Sequence, residues 1–172
     1  DGRRGSQATF SGYDQRRLNG DKGRRVARLY TRPQGLVQSR KVPLSAGTGK
    51  CVGATTVVVG EDRYIGKNVI LATGSYSRTL PGLEIGGRVI TSDQALVLDY
   101  VPKSVIVLGG GVIGVEFASV WRSFGVDVTI VEGLPRLVPV EDEWAAKILE
   151  RAYSKRGIKL KTGIKFAGGK QD

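Results

Sequence analysis

Between Val105 and Glu132 the chain reads VIVLGGGVIGVEFASVWRSFGVDVTIVE, and few stretches leave so little choice of fold. Gly109, Gly110, Gly111 and Gly114 crowd the junction between an apolar run and a helical pattern. Glycine weakens both strand and helix because it loses the most backbone freedom on folding, so its concentration here marks a backbone that has to be bare. KSVIVL at 103–108 reads as a short parallel strand. Over 112–124, Ile113, Phe117, Val120, Trp121 and Phe124 recur at helical spacing until Gly125 stops the helix. VDVTIVE at 126–132 is a second strand, and it ends on an acid, Glu132, 21 residues beyond Gly111.

Strand, glycine turn, helix, strand and acid, in that order and at that spacing, are the requirements for holding a dinucleotide. Gly109, Gly111 and Gly114 fall on G-x-G-x-x-G. The first glycine permits a tight turn, the second lets the backbone approach a pyrophosphate, and the third lets the helix pack close to the strand. The helix N-terminus presents unpaired N–H groups and a partial positive charge to the phosphates. An acid about 20 residues on accepts hydrogen bonds from the adenosine ribose and repels a 2′-phosphate, which predicts a preference for NAD(H) over NADP(H) at Glu132.

The pattern then repeats. EDEWAAKILERAYSKRG at 141–157 has acids in its first turn, basic residues in its last and a terminal glycine, as a helix dipole favours. IKLKTGIKF at 158–166 alternates like a strand. The expected fold class is α/β, with Rossmann-like dinucleotide-binding βαβ units forming part of a nucleotide domain over 101–172. A complete dinucleotide fold has further strands.

Upstream, the texture is different. TTVVV at 55–59, the turn GED and then RYIGKNVILATG at 63–74 predict a hairpin followed by a strand, Val69–Ala72, buried on both faces. SAGTGKCV at 45–52 hints at a phosphate loop, but that pattern requires glycine five positions before Gly49 and a hydroxyl after Lys50. Those positions hold Leu44 and Cys51, so nucleoside triphosphatase chemistry loses its main support. In VARLYTRPQGLVQSRK, Val26, Leu29 and Tyr30 share a helical face, while Pro33 and Gly35 interrupt it and leave one broken helix or a helix end with a turn.

The formal charge of +11 raises the question of nucleic acid. Its distribution answers it: residues 1–40 carry ten Lys/Arg and three Asp, a net +7, against +4 for the other 132 residues. The basicity is an N-terminal matter. Residues 1–25 have few apolar residues and no clear period, and are expected to be a disordered, solvated tail. The alternative function class is a non-catalytic dinucleotide-binding module whose basic arm holds nucleic acid. Hydrophobic residues make up 40% of the 172, enough for one ordinary core. A lone cysteine closes no intrachain disulfide, and no apolar run is long enough for a membrane span or resembles a secretory leader, so a cytoplasmic setting is expected. Cys51 is expected to be a small buried hydrophobe, and Arg136 an exposed cation.

The whole stretch from Val105 to Glu132, followed by LPRLVP and an acidic helix start, resembles the NAD-binding domain of the dihydrolipoamide dehydrogenases, within the class I pyridine nucleotide-disulfide oxidoreductases. GLVQSRKV, GTGK, the hairpin, NVILATGS, LPGLEI and VITSDQAL are similar in order and spacing to the second half of that family's FAD domain. The resemblance covers roughly residues 26–172 and divides the chain into a tail at 1–25, the later part of an FAD domain with its β-meander at 26–100, and a truncated NAD domain at 101–172. It implies that Gly49, Thr73, Gly74 and Ser75 touch FAD. By the same resemblance Gly109, Gly110, Gly111, Val112, Ile113, Gly114, Glu116 and Glu132 hold NAD, with Glu116 near the nicotinamide and flavin edge. Read without the resemblance, Glu116 is an exposed helical acid.

The departures bear on activity. The family passes electrons from dihydrolipoamide through a cysteine pair to FAD and then to NAD, and uses a histidine and a partnering glutamate from a C-terminal interface domain. This chain has one cysteine, at neither redox position, and no histidine. A dithiol exchange site needs two sulfurs within bridging distance. The resemblance thus implies a central piece of an NAD- and FAD-dependent dihydrolipoyl dehydrogenase that binds NAD(H) but does not turn over alone, with no catalytic residue of its own. In the parent it implies a homodimer serving lipoyl-bearing components of 2-oxo acid dehydrogenase complexes, with neither membrane nor nucleic acid as a partner. Another flavoprotein disulfide reductase, mercuric, glutathione-type or transhydrogenase, is the neighbouring possibility, and Glu132 argues against the NADP-using members.

Overall fold

The computed structural model describes residues 14–169. Two compact units divide the described residues: Gly20–Tyr76 forms one, and residues 14–19 with 77–169 form the other.

The first unit holds most of helix α1, Gln15–Ser39, and an antiparallel sheet of β1 (Gly49–Cys51), β2 (Thr56–Val59) and β3 (Asp62–Ile65) in the order β1-β2-β3. The expected hairpin forms, with Val57 opposite Tyr64 and Val59 opposite Asp62, and the GTGK segment supplies the third strand, Gly49 facing Val59. Four expectations change here. Residues 15–25 are helical rather than a tail: the Asp14 carboxylate accepts the Arg17 N–H at 3.0 Å, as a helix cap does, and Asp21 pairs with Arg24 one turn on. Residues 1–13 lie outside the described residues. The helix also continues through Pro33 without a break. Val69–Ala72 makes no strand, and Ile70 and Leu71 are 89% and 70% exposed. A strand needs a ladder partner and, to be buried on both faces, a layer over each face; the three strands of this unit pair only with one another and leave 69–72 outside the sheet. Cys51 is exposed, because β1 is an edge strand with all three residues facing solvent.

The second unit carries a single-turn helix α2 (Ser92–Ala95), then β4 (Ser104–Leu108), α3 (Val112–Ser123), β5 (Asp127–Val131), α4 (Glu143–Lys155) and β6 (Lys159–Lys161). The strands form a parallel sheet in the order β4-β5-β6. Register places Val105 beside Val128, Val107 beside Ile130, and Ile130 beside Leu160. These side chains share one face and pack with Val115, Ala118 and Trp121 of α3 and Ala146 and Tyr153 of α4. The buried stripe of α3 thus runs through Val115, Ala118 and Trp121, whereas Ile113 and Val120, which share the helical spacing read from the sequence, are 57% and 47% exposed. The Tyr153 hydroxyl donates to the Val115 carbonyl at 2.8 Å, a buried tie between the helices. Asp142 caps α4 by accepting from Trp144 N (2.8 Å) and Ala145 N (3.2 Å). One turn in, Lys147 hydrogen-bonds Glu143 at 2.7 Å, and this bond and its positive charge hold the Glu143 carboxyl below its ordinary value.

Candidate nucleotide-binding site

The glycine turn joins β4 to α3, and each glycine there meets a different constraint. Gly109 has φ +105°, a conformation that side chains rarely adopt, and its N–H donates to Val131 of the neighbouring strand at 2.8 Å. A Cβ on Gly114 would lie 2.0 Å from the Gly109 carbonyl oxygen, so α3 can reach β4 this closely only without one. Gly111 is the N-cap of α3, and a Cβ there would meet nothing within 4 Å. Its surface is open. With Val112 and Ile113 it begins α3, whose first N–H groups have no partner within the helix.

Glu132 follows β5 directly and is half-buried. Its carboxylate turns back onto the same turn: one oxygen accepts the Gly110 N–H at 2.6 Å and the other accepts the Leu134 N–H at 2.8 Å. Two oxygens offer about four acceptor sites, so lone pairs remain for a ribose hydroxyl. Glu116 sits on α3 and is exposed, in agreement with its reading from the residues alone. Gly109 to Gly114 and Glu132 are therefore gathered at the carboxyl end of the parallel strands, the end where open α/β sheets bind ligands. Gly49, Thr73, Gly74 and Ser75 belong to the other unit. Gly49 is in β1, and Thr73, Gly74 and Ser75 lie in an exposed segment outside any strand, with Gly74 at φ +88°.

Several residues around the turn escaped the sequence reading. Leu137 and Val138, in the loop after Glu132, are 0% and 6% exposed. Val138 donates its N–H to the Gly110 carbonyl at 2.7 Å from a strained backbone with φ +40°. Glu150 of α4 accepts the Leu137 N–H at 2.9 Å. Arg136, expected to be an exposed cation, is half-buried and donates to the carbonyls of Pro139 and Glu141, each at 2.8 Å. Five donors in a rigid fork suit it to that bridging. Loop residues carry no period, so burial in this segment left no signal beyond the apolar Leu137 and Val138 set between prolines.

Comparison with known proteins agrees with this geometry. The family model described as pyridine nucleotide-disulphide oxidoreductase matches residues 3–172. The chain is 42% identical over 144 residues to dihydrolipoyl dehydrogenase of Bacillus subtilis, covering 76% of this chain and 30% of that protein. It is 42% identical over 143 residues to dihydrolipoamide dehydrogenase of Chaetomium thermophilum, covering 79% and 28%. Among solved structures, LpdA from Mycobacterium tuberculosis aligns with a TM-score of 0.77 at 26% identity, over 92% of this chain and 37% of that one. The chain spans about 30% of the length of these curated relatives. Parallel βαβ units, a glycine turn held at the strand ends and the match along nearly the whole sequence lead to one assignment: the chain belongs to the pyridine nucleotide-disulphide oxidoreductase family.

Proposed function

We propose that this chain is the NAD-binding and partial FAD-binding portion of a dihydrolipoyl dehydrogenase, whose complete form converts dihydrolipoamide and NAD+ to lipoamide and NADH. The observation that carries the reading is the pairing of an open Gly111 at the start of α3 with a carboxylate, Glu132, oriented onto the same turn from the next strand. The residues fit the nucleotide. Bare backbone at Gly111 admits a pyrophosphate, the α3 amides receive its charge, and Glu132 offers acceptors to a ribose and repels a 2′-phosphate. Val112, Ile113 and Gly114 complete the turn, and Glu116 faces the nicotinamide end. Residues 101–172 are assigned to the nucleotide domain and 26–100 to the later part of the flavin domain, where Gly49 and Thr73–Ser75 would lie against FAD. When bound, a reduced flavin would supply a hydride, one proton with two electrons, to the nicotinamide.

The dithiol step belongs to other parts of the longer relatives, since this chain carries one cysteine and no histidine. The parent is read as a homodimer serving lipoyl-bearing 2-oxo acid dehydrogenase complexes. Paired calorimetric titrations with NADH and NADPH test the nucleotide assignment. Saturable NADH binding with much weaker NADPH binding is expected, and heat from neither nucleotide would overturn it.

A further inference from the structure

The pattern G-x-G-x-x-G leaves Gly110 unconstrained, yet the structure constrains it from three sides. Its N–H donates to the Glu132 carboxylate at 2.6 Å, and its carbonyl accepts from Val138 N at 2.7 Å. A Cβ on it would lie 2.6 Å from Leu137 Cδ2 and 3.1 Å from Glu132 Cβ. Leu137 is 0% exposed and cannot swing aside. Its own N–H is fixed by Glu150 of α4, while Arg136 gathers the carbonyls of Pro139 and Glu141. The segment from Glu132 to Pro139 is thus anchored at α4 and at the end of β6, where Gly163 donates to the Leu134 carbonyl at 2.8 Å.

We propose that residues 132–139 form a strap that sets the nucleotide turn from behind, with Glu132 and Leu137 as positioning residues and Gly110 as the position that has to lack a side chain. The strap's consequence for nucleotide affinity rests on the NAD reading given above. Glu132 has two duties in this arrangement: its carboxylate holds the Gly110 amide whether or not a ribose is present. Weakened NADH binding in a Glu132 variant therefore does not separate the duties, and the test has to act where no ribose contact is made.

Two measurements on the full chain do so. NADH titrations are run on the parent sequence, Gly110→Ala, Leu137→Val and the double variant. Gly110→Ala is expected to weaken binding roughly tenfold or more, as overpacking against a fixed neighbour does. Leu137→Val removes the Cδ carbons; titrated alone it gives the effect of that truncation by itself, and in the double variant it is expected to recover at least about threefold of the loss seen in Gly110→Ala. Parent-like affinity in Gly110→Ala, or a folded double variant no better than Gly110→Ala, would overturn the strap. The second measurement needs no nucleotide. Amide hydrogen exchange at Gly110 is expected to accelerate about tenfold in Glu132→Ala, the effect of losing one charge-assisted hydrogen bond. Unchanged exchange would overturn the strap even if the Gly110 variants fail to fold. A parent chain that binds no NADH but shows the exchange change would sink the nucleotide assignment and leave the strap standing.

Discussion

Neighbouring glycines in the turn have separable physical roles, and single substitutions tell them apart. At Gly114 the obstacle to a side chain is backbone, the Gly109 oxygen 2.0 Å from an added Cβ, and backbone cannot rotate away. Gly114→Ala is expected to cost about 3 kcal/mol or more, by forcing α3 off β4, and urea unfolding of the chain reads it as a lower midpoint. At Gly111 the added Cβ meets nothing, and φ −72° suits any residue. Gly111→Ala is expected to cost at most about 1 kcal/mol, the difference between these residues as caps. On the proposed NAD reading its effect is expected instead on NADH, weakened about tenfold in titration because the methyl would stand where a pyrophosphate would approach. If Gly111→Ala unfolds the chain and Gly114→Ala does not, the assignment of roles is reversed. That the three spaced glycines and Glu132 meet at one turn was legible, because a strand–turn–helix–strand unit of this length fixes their spacing. Gly110 was named only through the resemblance, and its packing constraint was not legible, since it comes from Leu137, 27 residues away in the sequence and in a loop without period.

From β4 to α4 the elements were read to within two residues, because each buries one face and its apolar residues recur at that face's period, whereas the strand expected over 158–166 ends at Lys161. The reading failed where the chain has no such face. α1 runs through Pro33 with Val26, Leu29 and Tyr30 at least 60% exposed, so no packing demand exposed its helical period against the proline. Val69–Ala72 shows the converse, an apolar run with no strand because its partners are lacking among the described residues. Two substitutions test these accounts. Pro33→Ala restores a helical N–H and removes the ring's clash with the preceding turn, a propensity gain of about 3 kcal/mol; because α1 already runs through this position, helical circular dichroism is expected to be unchanged at low temperature and to persist to higher temperature. A marked gain in helical signal at low temperature would mean that the helix is broken at Pro33. In α4, Asp142→Ala strips the acceptor from the Trp144 and Ala145 amides and is expected to lower stability by about 1 kcal/mol, read by urea unfolding.

At the scale of the molecule, the parallel sheet has one covered face and one open one. Val105, Val107, Val128 and Ile130 meet the helices. The opposite face changes character across the strands: Lys159 pairs with Asp127 at 2.8 Å on one side, while on β4 Ile106 is 68% and Leu108 38% exposed. Parallel sheets are ordinarily covered on both faces, and β4 is also an edge whose outer N–H and C=O groups have no ladder among the described residues. An apolar edge of this kind templates pairing with another chain. The chain is therefore expected to self-associate as its concentration rises, and Ile106→Lys to suppress this, since a lysine at an edge both blunts pairing and solvates the face. The substitution leaves the helix-covered core untouched, so stability is expected within about 0.5 kcal/mol of the parent sequence. NADH affinity is expected to be unchanged as well, because Ile106 lies mid-strand, away from the turn that follows Leu108. Light scattering across a concentration series reads the outcome: growth in the parent sequence and none in Ile106→Lys identifies the β4 edge and face as the adhesive surface. Equal growth in both places that surface elsewhere, with the exposed apolar side of α1, where Leu29 and Leu36 are 66% and 59% exposed, next to be substituted.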